Sequence, residues 1–432
     1  MSKIVLKENM LDFLLAFLNQ ETTTPSAPQR QLRVVNTPGG YYSSKTPLTE
    51  DLFGASVAIS GDGNVAVAGG APAGNLGTGR VSVYAFVENT WTYCMDLVPS
   101  VTNAGSKYGN SLSISADGSY IFVGAHDDSS TASSAGAVFV FSKSQSGANV
   151  WIEEAKITPP VGQPGLHFGY AISASSDGGK LIISNYTRVD PNTTLIPKVS
   201  VFTKWAGIWG EEGSFGQDVP DALANDFGAV VSLSADGLTA IVSSSCEDSQ
   251  KGAVYVFNSV NSNWSLTQKI VPITDYFADR WFSSGCAISP DGNVIAATTI
   301  DNRVYVFKKV NGIFTEDAVL ATGNSSVQTQ GVHCISPVGL SWDGNAVLVG
   351  DPGDNSDSIE TYGGAAYLFI NTPDGWFKSI KNTTWTQTMN DKVGSSVSIS
   401  YDGGFSGQCH YLLGAPSKET PGFFEIFHAE LN

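Results

Sequence analysis

The chain has 432 residues, with 23 Lys or Arg against 40 Asp or Glu, a formal charge of −17, and only 15% charged residues. Phosphate binding needs clustered cations whose counterion release drives association, so this balance argues against nucleic acid and against an anionic membrane surface as main partners. With 42% hydrophobic and 11% aromatic residues there is ample material for a core, which excludes general disorder. Five cysteines (Cys94, Cys246, Cys286, Cys334, Cys409) form no CxxC pair and read as small buried apolar side chains. No window reaches the ~18 apolar residues that would span a bilayer.

Residues 1–20 read as an amphipathic helix. At helical periodicity Ile4, Leu6, Met10, Leu11, Phe13, Leu14, Leu15, Phe17 and Leu18 share one wide arc, and Glu8, Asn9, Asp12, Asn19 and Gln20 occupy the rest. Glu8 and Asp12 interrupt the apolar run and no small-residue cleavage site comes after it, so a secretory signal peptide is not expected. The face of Met10, Leu11, Leu14, Leu15, Phe17 and Leu18 is costly to leave in water. Docking on the flank of its own chain, self-association and insertion into another protein all remain open. Association with other chains is the favoured expectation, because residues 21–30 form a Thr- and Pro-bearing linker and residues 31–432 read as a closed unit.

From Phe53 onward one phrase recurs: FGASVAISGDG, YGNSLSISADG, FGYAISASSDG, FGAVVSLSADG, FSSGCAISPDG, CISPVGLSWDG and VGSSVSISYDG. Its Asp residues are Asp62, Asp117, Asp177, Asp236, Asp291, Asp343 and Asp402, spaced by 52 to 60, and the aromatic-Gly position lies nine residues earlier. Copies at a near-constant period mean stacked repeats, since one unit of this size cannot bury both of its faces.

Within each unit, segments such as Ser56 to Ser60 alternate small polar with aliphatic residues at period two, as a strand does. Asp-Gly then supplies the positive φ of a tight hairpin turn. A second apolar run comes next, then a variable loop. A third strand carries the signature RVSVYAF, AVFVF, KVSVF, AVYVF, RVYVF, AAYLF or FFEIF, aligned on Phe86, Phe141, Phe202, Phe257, Phe307, Phe369 and Phe427. A fourth segment opens on Trp91, Trp151, Trp209, Trp264, Phe314 or Trp376. Four strands make one propeller blade.

The expected architecture is therefore an all-β, seven-bladed propeller over residues 31–432. The seventh unit has no fourth strand after Phe427, and an unpaired edge invites aggregation. Gln31 to Asn36 (QLRVVN) is the expected donor that completes the last blade.

These units resemble the FG-GAP repeat, the blade of integrin alpha-chain propellers, in its abbreviated form. "FG" stands at Phe53-Gly54, Phe168-Gly169 and Phe227-Gly228, and "GAP" at Gly70-Ala71-Pro72 and Gly414-Ala415-Pro416. Integrin-type repeats often carry a DxDxDG calcium loop in the first hairpin. Here that turn is Gly61-Asp62-Gly63-Asn64 or its equivalents, with one carboxylate, so structural calcium is not expected there.

In such a fold the second-to-third-strand loops and the inter-blade loops open on one face, and variable loops on a rigid scaffold carry function. Candidate ligand contacts on that face are His126, Asp127, Asp128, Tyr186, Tyr276, Trp281, Asp351, Asp354 and Asp357. Spacing by three in Asp351, Asp354 and Asp357 favours a solvated turn over a calcium loop. His126-Asp127-Asp128 lacks a second His at ligand spacing, and no metal or other cofactor is assigned. Tyr276 and Trp281 could stack on a sugar or pack on a protein, and the adjacent Phe282 reads equally as core. His126, His167, His333, His410 and His428 sit in no HExxH, GxSxG or P-loop context, so no catalysis is expected.

The leading expectation is a non-catalytic interaction protein, as a virion structural or host-attachment component, binding protein or glycan and lying on a virion or extracellular surface. Two alternatives are a cell-surface or secreted integrin-like adhesin, for which sequons such as Asn185-Tyr186-Thr187 count, and a hydrolase or lyase with carboxylates across the channel.

Overall fold

The computed structural model describes residues 32–35, 41–43, 52–71, 77–145, 149–186, 197–216, 219, 226–274, 281–323, 337–354, 363–383, 392–400, 408–416 and 422–431. The expected helix over 1–20, the linker, Gln31, Asn36, Tyr276, Asp357 and Asp402 lie outside them.

Seven antiparallel sheets carry the chain, with four consecutive strands in each of the first six. Blade 2 shows the pattern: Ser111–Ile114, Tyr120–Ala125, Ala137–Lys143 and Trp151–Ile157 pair in order of sequence. The first strands of successive blades contact one another in a ring that closes from blade 7 back to blade 1. In blade 7, Ser396–Ile399, Gln408–Ala415 and Phe423–Leu431 pair in order. Leu32–Val35 then lies antiparallel on the last of these, with Leu32 opposite Leu431 and Val35 opposite His428. Tyr41–Ser43 occupies the remainder of the same edge, Tyr41 opposite Glu425. The missing outer strand is thus supplied by the N-terminal side in two pieces, and the exposed edge that a three-stranded blade would leave is covered.

Each blade-to-blade interface holds its own apolar cluster. Val67, Val83, Tyr108, Phe139 and Trp151 pack between blades 1 and 2. Phe122, Val140, Phe168, Ile183 and Phe202 pack between blades 2 and 3. Phe53, Tyr84, Leu412, Phe424 and Ile426 close blade 7 on blade 1. Burying one such Phe contributes about 1.5–3 kcal/mol, and a strand that packs on both faces has few places for charge, which accounts for the low charged fraction.

The aromatic at the start of the repeat phrase is the keystone of five of the interfaces. Phe53, Tyr108, Phe168, Phe227 and Phe282 are fully buried there. The next residue is left-handed, Ser283 after Phe282 and a glycine after the other four, as at Gly169 (φ 89°), where a Cβ would lie 2.7 Å from the backbone oxygen of Ala137 in the preceding blade. Only a residue without a side chain lets the two backbones approach so closely. Gly124, near the end of the second strand of blade 2, meets the same seam from the other side: a Cβ there would lie 2.3 Å from the backbone oxygen of Gly169.

The third-strand alignment needs one correction. A register shift separates the third and fourth strands between Val201 and Phe202, Val256 and Phe257, and Val306 and Phe307; in blade 1 it falls between Val83 and Tyr84. Tyr84, not Phe86, is the equivalent of Phe202, and Phe86 pairs with Trp91 two positions further on.

Small polar residues on the first strands tie the ring together near its axis. The backbone N–H of Ala174 donates to the Ser113 hydroxyl at 3.0 Å, that of Leu233 to Ser173 at 3.0 Å, and that of Ile59 in blade 1 to Ser398 in blade 7 at 3.2 Å. Ser396 Oγ donates to the Gly54 carbonyl at 2.8 Å, so closure has polar as well as apolar contacts.

Candidate functional site

The residue just before each buried aromatic repeats a strained conformation: Lys107, His167, Asp226 and Trp281 are left-handed, with φ of 59°, 52°, 55° and 50°. The chain turns there from the previous blade into the next first strand. That turn aims the side chain at the loop after the second strand of the preceding blade. His167 Nδ1 lies 2.8 Å from Asp127 Oδ1, the Tyr186 hydroxyl donates to Asp226 Oδ1 at 2.8 Å, and Trp281 Nε1 donates to Gln250 Oε1 at 3.0 Å. Each of these three blade junctions on the loop face therefore carries its own polar pair.

Two adjacent junctions run together across blades 2, 3 and 4. Asp127 lies between His167 and His126, whose Nε2 is 3.9 Å from Asp127 Oδ2. The His126 ring is 5.9 Å from that of His167 and 5.2 Å from Tyr170. Tyr170 lies 4.4 Å from Tyr186 between ring centroids, Tyr186 reaches Asp226, and Cys246 Sγ is 2.8 Å from Asp226 Oδ2. Burial, helped by the charges of His167 and Lys107 and opposed by Asp127, brings the His126 imidazole from 6.5 down to about 4, so it is neutral at physiological pH. Burial pushes the Asp127 carboxyl upward, but the hydrogen bond from His167 and nearby positive charge outweigh it and hold it below its ordinary range. Burial and then the Asp226 charge raise the Tyr186 phenol, which stays protonated as a donor. An ionised carboxylate between two imidazoles, continued by two phenols whose rings meet at a tilt, can accept hydrogen bonds or ligate a cation.

The other expected contacts have structural partners. Asp128 is fully buried, its carboxylate 3.0 Å from Lys156 Nζ and accepting from the Ser130 hydroxyl at 2.5 Å. Asp354 is buried, accepts from the Tyr367 hydroxyl and pairs with Lys381 Nζ at 3.2 Å. Blade 4 builds the same arrangement from Glu247, Tyr255 and Lys269. These form one recurring device, an acid from the loop, a Lys from the fourth strand and the ring of Phe139, Tyr255 or Tyr367 beneath that Lys. Asp128 and Asp354 thus each pair within their own blade. Asp351 is buried at the end of its strand. Tyr186 is buried to 8% exposure, held by Asp226 and by the Tyr170 ring. Trp281 is half-buried on Gln250, and Phe282 beside it is core, packed on Tyr305 and Phe307.

His167, Tyr170, Asp226 and Cys246 were not among the expected contacts. A signal was available: with the repeats in phase, the residue before the aromatic falls in one column, and His167 and Asp226 stand there.

Residues 91–141 match the FG-GAP repeat. This stretch runs from the fourth strand of blade 1 through the third strand of blade 2, so the resemblance seen in the motifs and the seven-bladed arrangement agree. A search of curated proteins found no match. Among the described residues no helix is long and apolar enough to cross a membrane.

Proposed function

We propose that the protein is a non-catalytic interaction propeller that takes a protein or glycan ligand on the loop face, at the junctions of blades 2 to 4. The observation that carries this reading is the continuous line His167, Asp127, His126, Tyr170, Tyr186 and Asp226, which combines aromatic surface with hydrogen-bonding groups on loops that differ from blade to blade. Sugars and peptide segments are recognised by that mixture of ring faces and fixed polar atoms. The finer reading is a virion structural or host-attachment component on a particle or extracellular surface, held to other chains by the apolar arc of residues 1–20. It is supported by the low charge, the Ser-, Thr- and Gly-rich strands and that arc.

A glycan array probed with the full-length chain and with Tyr170→Ala tests the site. Loss of hits in the variant supports it, and hits unchanged by the substitution remove blades 2 to 4 as the location. Mass spectrometry of purified particles tests the virion role, which fails if the chain is absent from them.

A further inference from the structure

We infer that His126, Asp127 and His167 form a binding site for a divalent transition-metal ion of the Zn2+ type, bridging blades 2 and 3. One ligand atom from each residue lies within 4.8 Å of the others, with His167 Nδ1 2.8 Å and His126 Nε2 3.9 Å from the Asp127 carboxylate. Four-coordinate zinc with bonds of about 2.0–2.1 Å holds its ligands roughly 3.3 Å apart, so the three atoms reach bonding positions through shifts of about 1 Å or less each. The rings are held from both sides: His167 by its left-handed backbone at the start of blade 3, His126 by Tyr170.

A second observation concerns His126 itself. Its side chain is 13% exposed, its Nδ1 is buried without a hydrogen-bond partner, and its Nε2 faces Asp127 at a distance too long for a hydrogen bond. An ion between the three residues accounts for the orientation of Nε2 toward the Asp127 carboxylate at more than hydrogen-bond distance.

The donor set selects the class of ion. Two imidazoles and one carboxylate suit zinc and its d-block neighbours, whereas calcium and magnesium prefer an all-oxygen shell. Three protein ligands leave a fourth position, and it opens toward solvent, because the His167 and Asp127 side chains are 33% and 23% exposed. That position would hold water or a carboxylate or hydroxyl oxygen from a bound partner. The site differs in place from the Asp-Gly hairpins, whose carboxylates are taken by their own turns: Asp117 accepts from the Ser115 hydroxyl at 2.7 Å and the Ser119 N–H at 2.9 Å.

The test is calorimetric titration of Zn2+ into full-length chain stripped with EDTA, in excess Ca2+ and Mg2+. One ion per chain is expected, with binding weakened at least ~100-fold in His167→Asn, since Asn tolerates the left-handed backbone and removes the imidazole. Asp127→Asn should weaken it as well, and Co2+ loaded in place of Zn2+ should show visible absorption bands that both variants lose. Melting in EDTA establishes that the variants fold. Absence of saturable binding by the unmodified chain overturns the inference whatever the variants do, and so does equal affinity in folded His167→Asn, which would place the ion elsewhere.

Discussion

The two faces of the propeller use the same repeat in opposite ways. On the hairpin face every described turn satisfies itself. Ser60, Ser115, Ser175, Ser234, Ser289 and Ser341 each donate to the Asp two residues on, and that Asp accepts a backbone N–H two residues further. Neighbouring turns add backbone bonds, Ala116 N–H to Ser176 carbonyl at 2.8 Å and Ser176 N–H to Ala235 carbonyl at 2.9 Å. Burial raises the carboxyls of Asp117 and Asp343, but these hydrogen bonds outweigh it and leave both below the ordinary range. At the blade junctions of the loop face the partner comes from the next blade: His167 and Asp127 are 40 residues apart, as are Asp226 and Tyr186. A locally closed motif can be copied unchanged around the ring, whereas a group whose partner lies one blade away can differ at every junction. Divergent chemistry therefore collects on the loop face.

Four substitutions probe that contrast, beginning with a pair at and away from the seam between blades. Gly252 and Gly207 share a φ of 84°, yet a Cβ on Gly252 would lie 2.0 Å from the Phe282 carbonyl oxygen in the next blade, while one on Gly207, at a hairpin tip, meets nothing within 4 Å. Gly207→Ala should cost about 1 kcal/mol from the backbone alone, and Gly252→Ala about 3 kcal/mol or more, read from urea midpoints. Equal costs would mean the blades separate freely at this seam.

Asp128→Ala, next in size, strips the buried partner from Lys156 and should cost about 3 kcal/mol, because a charge is left without compensation in a largely enclosed site. A loss under about 0.5 kcal/mol would show that Lys156 simply reaches water.

The smallest effect is one of pH. Burial, then the neighbouring His428, lowers the His410 imidazole from 6.5 to about 4. Between those values the unfolded chain carries a proton that the folded chain refuses, so stability is fully present above 6.5, falls as pH drops toward 4 and levels off below. His410→Phe, which suits a side chain packed on Phe86 and Trp91, should flatten this slope by about 2 kcal/mol over the interval, allowing for partial exposure. An unchanged slope in pH-dependent denaturation would assign the effect to other groups.

Much of the scaffold was legible because its determinants are local. Period-two alternation, the Asp-Gly turn and the aromatic-Gly pair each act within a dozen residues. Closure was legible for another reason, since a three-stranded final unit must find an edge partner. The slip at Phe86 arose because blade 1 carries two aromatics two residues apart, Tyr84 at the repeat position and Phe86 beyond it, and only strand pairing tells which one is equivalent to Phe202. The loop face was harder. Asp128 and Asp354 looked like solvated acids in polar loops, and only packing showed a Lys from the fourth strand lying over each.

The sequence by itself determined the number of blades, the strands within each and the turns between them, because each depends on side chains close together in the chain. Tertiary structure alone decided that His126, with no second histidine within ligand spacing, has His167 beside it across a blade boundary. Loop lengths vary from unit to unit, so short-range ligand spacing does not relate the two residues, and only the repeat phase marks His167 as a blade-entry position. They are neighbours because blade packing places the end of one second strand against the entry to the next blade.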